Sequence, residues 1–126
     1  MRHQVAGYKL SRSKDQRTAL RRTLMRQLFT HERIKTTRAK ALAIRGEAER
    51  LITLARNSEK SSDIEKVNAR RLAAARLGGD PEIVKKLFDD IGPRFAKRNG
   101  GYTRMFRLGP RLGDAAEMVL LELIEE

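Results

Sequence analysis

The run Gly100-Gly101-Tyr102-Thr103-Arg104 gathers residue types that nucleic-acid recognition uses. Two glycines let a backbone approach a partner closely, an aromatic ring offers a stacking plane, and a guanidinium offers a forked donor pair for phosphate. Arg94, Lys97 and Arg98 stand just before the run, and Arg107 and Arg111 follow it. A plainer reading of the same residues is a glycine turn ahead of a strand, with Tyr102 in the core. On the five residues alone the two readings stand level, and the neighbouring cations tilt the balance toward phosphate. Elsewhere catalytic chemistry finds no support. The chain has no Gly-rich phosphate loop of the G-x-x-x-x-G-K-[ST] type, no G-x-S-x-G and no H-E-x-x-H. It has no cysteine, which excludes disulfides, thiolate zinc sites and thiol nucleophiles. His3 and His31 are far apart and lack the carboxylate spacing of a metal site. The acid pairs Asp89-Asp90 and Glu125-Glu126 fall at the ends of amphipathic elements and read as solvated. His31 reads as a helix C-terminal contact rather than a base. The expectation is a protein without enzymatic activity, cofactor, metal or small-molecule substrate.

The charge distribution points the same way. Twenty-eight Lys and Arg stand against sixteen Asp and Glu, a net charge of +12. Residues 1–40 carry twelve basic and two acidic side chains, and residues 41–93 carry ten and nine. Residues 94–113 then carry six bases and no acid, and 114–126 five acids and no base. Two basic zones that flank a neutral middle repel one another in a fold unless a polyanion lies across them, and nucleic acid is the common polyanion. Charge runs that are merely solvated faces are the alternative. Arginine outnumbers lysine nineteen to nine, which favours forked contacts on a fixed surface. The aromatics (Tyr8, Phe29, Phe88, Phe95, Tyr102 and Phe106) are too few for a broad single-strand stacking platform. No apolar run reaches membrane-span length, and the N-terminus lacks the apolar stretch of a secretory signal. A soluble, cytoplasmic protein is expected, with no membrane partner.

These residues must be positioned by a small set of elements. Residues 1–12 have no apolar period and read as a basic arm; residues 13–126 read as a single α+β domain. Ser13-Lys14-Asp15-Gln16 has capping-box form and opens a helix to about Thr30, with Leu20, Leu24 and Leu28 as its stripe. Arg22 and Arg26 fall opposite that stripe, and Arg17 and Arg21 at its edge. Residues 33–37 are β-branched and predict a strand, with Thr37 capping the next helix. That helix, to about Arg56, carries the stripe Ala41, Ile44, Ala48, Leu51 and Ala55. After a polar loop, Ser62-Asp63-Ile64-Glu65 caps a third helix to Leu77, on which Ile64 and Ala75 share a face with Asn68 and Arg71. Gly78-Gly79 stops it, Asp80-Pro81-Glu82 starts a fourth, and Gly92-Pro93 closes that one behind Ile83, Val84, Leu87, Phe88 and Ile91. Arg94–Gly101 reads as a basic loop. Tyr102–Leu108 and Met118–Ile124 read as a hairpin. The order is helix, strand, three helices, two strands, with the helices packed on a small mixed sheet.

Several stretches together resemble the bacterial large-subunit ribosomal proteins of the L-seventeen family over nearly the whole chain. They are Met1-Arg2-His3 with Gly7 and Leu10, Ile34-Lys35-Thr36-Thr37, Ala39-Lys40-Ala41, Leu51-Ile52-Thr53-Leu54-Ala55, Ala69-Arg70-Arg71-Leu72 and Lys86-Leu87-Phe88. The most specific runs from Gly92-Pro93-Arg94-Phe95-Ala96 to Gly100-Gly101-Tyr102-Thr103-Arg104, followed by Arg111 and Gly113-Asp114. The resemblance implies the element order just given. It also implies binding to large-subunit ribosomal RNA near the nascent-chain exit, among neighbouring ribosomal proteins. The chain departs from the family pattern at Tyr8, where a basic residue is usual, and at a longer polar stretch over 57–65, read as a surface loop outside the RNA footprint.

The combined expectation is a structural ribosomal protein whose arm, first helix and 94–111 loops clamp RNA phosphates. The contact residues expected are Arg2, His3, Lys9, Arg12, Lys14, Arg17, Arg21, Arg22, Lys35, Arg94, Lys97, Arg98, Gly100, Gly101, Tyr102, Arg104, Arg107 and Arg111. The acidic last strand should face away from RNA or toward a basic neighbour. The rival readings are a nucleoid-type DNA-binding protein and a module that binds membrane surfaces through its basic first helix.

Overall fold

The computed structural model describes His3 and residues 7–124. Ser13 opens α1 (Lys14–His31) by accepting from the Gln16 N–H, while the Gln16 side chain accepts from the Ser13 N–H. That exchange is the capping box the spacing predicts. Only the second half of α1 is buried, through Leu24, Met25, Leu28 and Phe29. Between Lys14 and Thr23 no side chain is fully buried, and Leu20 is the one apolar residue of this half that packs against the core, so its cations are left toward solvent. The leucine stripe marks one edge of the packed face, and Met25 and Phe29 complete it.

Glu32 ends α1 in the left-handed conformation, φ 65°, and its N–H bonds the Leu28 carbonyl at 2.7 Å. The reversal feeds β1 (Arg33–Thr37), whose Ile34 and Thr36 are buried while Arg33 and Lys35 are exposed. Thr37 then caps α2 (Arg38–Ser58) by accepting from the Lys40 N–H. The expected stripe of α2 is buried throughout, and Ile52 widens it. Four residues connect α2 to α3 (Asp63–Leu77), which Ser62 caps.

The face assigned to α3 needs correction. Its buried residues are Ala69, Ala73 and Leu77, whereas Ile64 is 75% exposed and Ala75 is exposed. Two alanines and a leucine make a weaker apolar signal than a face containing isoleucine. Small side chains, however, let the helix lie close against its neighbours.

Asp80 and Pro81 start α4 (Pro81–Lys86) as expected. Gly92-Pro93 does not close the helical path. The backbone widens into a π turn (Leu87–Ile91) and continues as α5 (Gly92–Arg94). In a regular helix the Pro93 ring would meet the carbonyl four residues back; a widened turn relieves that conflict. Gly92 packs on α2 so closely that an added Cβ would stand 3.1 Å from the Ala55 carbonyl carbon.

The chain ends in a hairpin of β2 (Thr103–Pro110) and β3 (Glu117–Leu123), and β1 pairs with the other side of β3. The sheet is antiparallel throughout rather than mixed, because β3 is the central strand and runs against both neighbours. A bulge at Leu108 separates the pairs Arg107–Val119 and Gly109–Met118. Ile34, Thr36, Val119, Leu121 and Leu123 are buried on the inner face, which closes the core against the helices.

Candidate nucleic-acid interface

In the C-terminal basic zone, the expected stacking ring is inside the protein. Tyr102 is 1% exposed, its ring centroid lies 5.0 Å from that of Phe95, and its hydroxyl is 3.1 Å from Thr53 Oγ1. No base can reach it, so the reading of Tyr102 as a core residue replaces the reading as a stacking residue. The ring stands one residue ahead of β2, where the chain is still leaving a turn with φ 125° at Gly100 and φ 60° at Gly101. That backbone is what the glycines serve within the chain. Arg98 donates to the Gly101 carbonyl at 3.1 Å, and Arg56 reaches across from α2 to the Asn99 side chain at 2.8 Å. The segment 95–101 is thereby tied to the body.

Most cations of this zone are already matched. Arg94, its side chain largely buried, donates to Glu32 and to Asp90, the latter at 3.1 Å. Lys86 stands 3.4 Å from the same Glu32. The Arg94 hydrogen bond holds the Glu32 carboxyl below its ordinary range, against a smaller opposing effect of burial, and Glu32 raises Arg94 in turn. Arg104 pairs with Glu122, Arg107 with Glu117 at 3.6 Å, and Arg111 with Asp114 at 2.6 Å. The Arg111 guanidinium, helped by the Ala116 N–H, brings the Asp114 carboxyl down to about 2. The acids of the last strand therefore turn toward the protein's own arginines. Lys97 and Arg98 are the members of this zone with no carboxylate within 4.0 Å among the described residues.

The N-terminal zone is built differently. Lys14, Arg17, Arg21, Arg22 and Arg26 all lie on α1, and none of them meets a carboxylate among the described residues. The same holds for Lys9, Arg12 and Lys35. Arg22 and Arg26 lie against the end of α3, where a Cβ on Gly78 would stand 3.6 Å from Arg22 Cδ and 3.7 Å from Arg26 Nη1. Cations beside a helix C-terminus are favourably placed there. Residues 9–12 form a turn, with the Arg12 N–H on the Lys9 carbonyl at 3.2 Å. This turn segment and the first half of α1 enclose an open cleft of about 610 Å³, lined by Tyr8, Lys9, Lys14, Arg17, Thr18 and Arg21 beside Gly7. Four of these are cations and none is an acid. Tyr8 and Thr18 are not among the contacts expected from the sequence, where Tyr8 stands out only as a departure from the family pattern and as the one tyrosine of the arm. His3 is exposed, and Arg2 lies outside the described residues.

A model of the ribosomal protein L17 family matches residues 20–124. The chain belongs to that family. It is 50% identical over 124 residues to the large ribosomal subunit protein bL17 of Solibacter usitatus, covering 98% of this chain and 77% of that protein. It is 46% identical over 121 residues to the protein of the same name from Clostridium perfringens, covering 95% of this chain and all of that one. The Trichlorobacter lovleyi bL17 is 44% identical over 126 residues, covering the whole of this chain and 95% of its own. Members of the L17 family are structural components of the ribosome and not enzymes, so the surface features above are contacts rather than an active site. For an L17 protein, the division found here is between cations on α1 that meet no carboxylate among the described residues and cations of the 94–111 zone that mostly do.

Proposed function

We propose that this chain is a cytoplasmic structural constituent of the large ribosomal subunit that binds large-subunit ribosomal RNA chiefly through the arm 1–12 and the first half of α1. The domain 13–126 serves as the rigid body that presents them. The observation that carries this reading is the acid-free cleft between the arm and α1, with Lys9, Lys14, Arg17 and Arg21 on its walls. A phosphate backbone supplies the anions this cleft lacks, and each neutralised phosphate releases counterions. Lys97 and Arg98 add a smaller second contact. Binding lies in the neighbourhood of the nascent-chain exit, with other ribosomal proteins alongside; the resemblance noted in the sequence supports that location.

Sedimentation of the tagged protein in cell lysate, with and without ribonuclease, tests the reading. Comigration with the large subunit that ribonuclease abolishes is the expected result. Persistence with DNA after ribonuclease would instead favour a nucleoid protein. Cross-links from Arg17 in assembled subunits should fall on RNA segments around the exit, and cross-links confined to segments elsewhere would overturn the location.

A further inference from the structure

The outer face of the sheet is left uncovered by the helices and has a pattern unlike either basic zone. Strand register sets Arg33, Glu122 and Arg104 in one row across the sheet and Lys35, Leu120 and Phe106 in the next. Glu122 stands between two arginines, 4.0 Å from Arg33 Nε and hydrogen-bonded to Arg104. That bond fixes the Arg104 guanidinium over the Phe106 ring, 5.5 Å from its centroid. Phe106 is 47% exposed, as is Leu108 at the bulge beside it. Next to this row a cleft of about 370 Å³ opens between Lys35, Met118 and the hairpin end.

We propose that this face is a second RNA contact, which receives an unpaired nucleobase on the Phe106–Arg104 pair and the adjoining phosphate on Lys35. The proposal rests on the RNA reading above and names the part of the RNA that this face takes. An exposed aromatic ring with a planar cation layered on it matches the face of a base, and every base has such a face. Three cations and one acid border the apolar row, so an approaching strand finds a net positive rim. A neutral or basic peptide would have to desolvate those cations to reach Phe106, whereas RNA neutralises them while supplying a flat apolar surface. Glu122 compensates the charge of Arg104 and leaves its plane available, so recognition here depends on stacking more than on counterion release.

The test uses the full chain and two probes: a ten-nucleotide single-stranded RNA of mixed sequence and a ten-base-pair RNA duplex. Phe106→Ala should weaken single-strand binding about five- to a hundredfold, leave the salt slope unchanged and leave duplex binding as it was. Phe106→Tyr should restore the affinity. Because the ring is half-exposed, the melting temperature should hold. Equal affinity of Phe106→Ala and the unaltered chain for the single strand would overturn the proposal, as would equal losses for both probes. If Phe106→Ala binds normally while removing the α1 cations still weakens RNA binding, the sheet contact falls alone. If neither change weakens binding, the RNA reading falls with it. A cross-link from position 106 to a protein in assembled subunits, with RNA binding unaffected by Phe106→Ala, would make this face a protein interface and overturn the proposal.

Discussion

Between residues 14 and 26 five cations stand on one helix and none meets a carboxylate among the described residues, whereas between 94 and 111 four of six are held by acids. Those acids come from scattered places. Glu32 follows α1, Asp90 lies in the π turn, Glu117 and Glu122 are on β3, and Asp114 is in the hairpin loop. Antiparallel pairing sets Glu122 opposite Arg104, and the hairpin loop brings Asp114 to Arg111. The neighbours of the first half of α1, the turn at 7–12 and the end of α3, bring it no acid among the described residues. Two stretches of comparable charge density in the sequence thus differ in what they offer a polyanion. The first presents charge with no acidic partner; the second presents charge already paired with nearby carboxylates.

If the second zone is structural, its largest mutational effects should fall on stability. Tyr102→Ala removes a buried ring packed on Phe95 together with the hydroxyl contact to Thr53, and should cost about 3–5 kcal/mol, as other buried aromatic truncations do. Chemical denaturation gives that value, and RNA affinity measured on the folded fraction should not change. A Tyr102→Ala protein of normal stability and weakened RNA binding would break the comparison.

A smaller effect is expected at Arg94. Replacing it by Ala leaves Glu32 with Lys86 alone, a loss of about 1–2 kcal/mol for a charge-assisted bond that is partly solvent-screened. The pH dependence sharpens the point. Glu32 in the folded protein titrates below its ordinary value of 4.5, first because Arg94 hydrogen-bonds its charged form. The stability it contributes is therefore fully present above that ordinary value and is lost as pH falls through the lower, folded one. Melting curves between neutral and acid pH should show a shallower acid decline for Arg94→Ala than for the unaltered chain. An unchanged decline would show that the pair does not carry it.

The smallest change belongs to Arg111→Ala. Its partner Asp114 is at an exposed hairpin end, where solvent screens the pair, so stability should scarcely move. The salt slope of RNA binding should barely move either. A slope lower by a full contact would show that this arginine reaches phosphate despite its pair.

Much of the fold was legible because local signals agreed with one another. Both serine caps, the Thr37 cap, the α2 stripe and the start of α4 all stand where capping chemistry and periodicity put them. What could not be read depended on partners distant in sequence. The buried face of α3 is set by how closely Ala69 and Ala73 approach their neighbours, not by the most hydrophobic face. The helical path through Gly92-Pro93 depends on a widened turn and on the bare Gly92 surface against Ala55. The site was legible as charge and not as availability: Arg17 and Arg94 look alike in the sequence, and only the fold brings Glu32 to one and leaves the other open. Phe106 reads in the sequence as only one of six aromatics, because its exposure follows from the sheet face it occupies, and Tyr102, four residues earlier, stands in the more conspicuous motif.

The most direct measurement is the salt dependence of RNA affinity for two triple variants, Lys14, Arg17 and Arg21 to Gln and Arg104, Arg107 and Arg111 to Gln. Each phosphate contact contributes roughly 0.7–0.9 to the slope of log affinity against log salt. The α1 variant should lower the magnitude of the slope by about 2–3, and the hairpin variant by less than about one. Equal reductions, or a larger one for the hairpin variant, would contradict the claim that the fold withholds the second zone's charge from RNA.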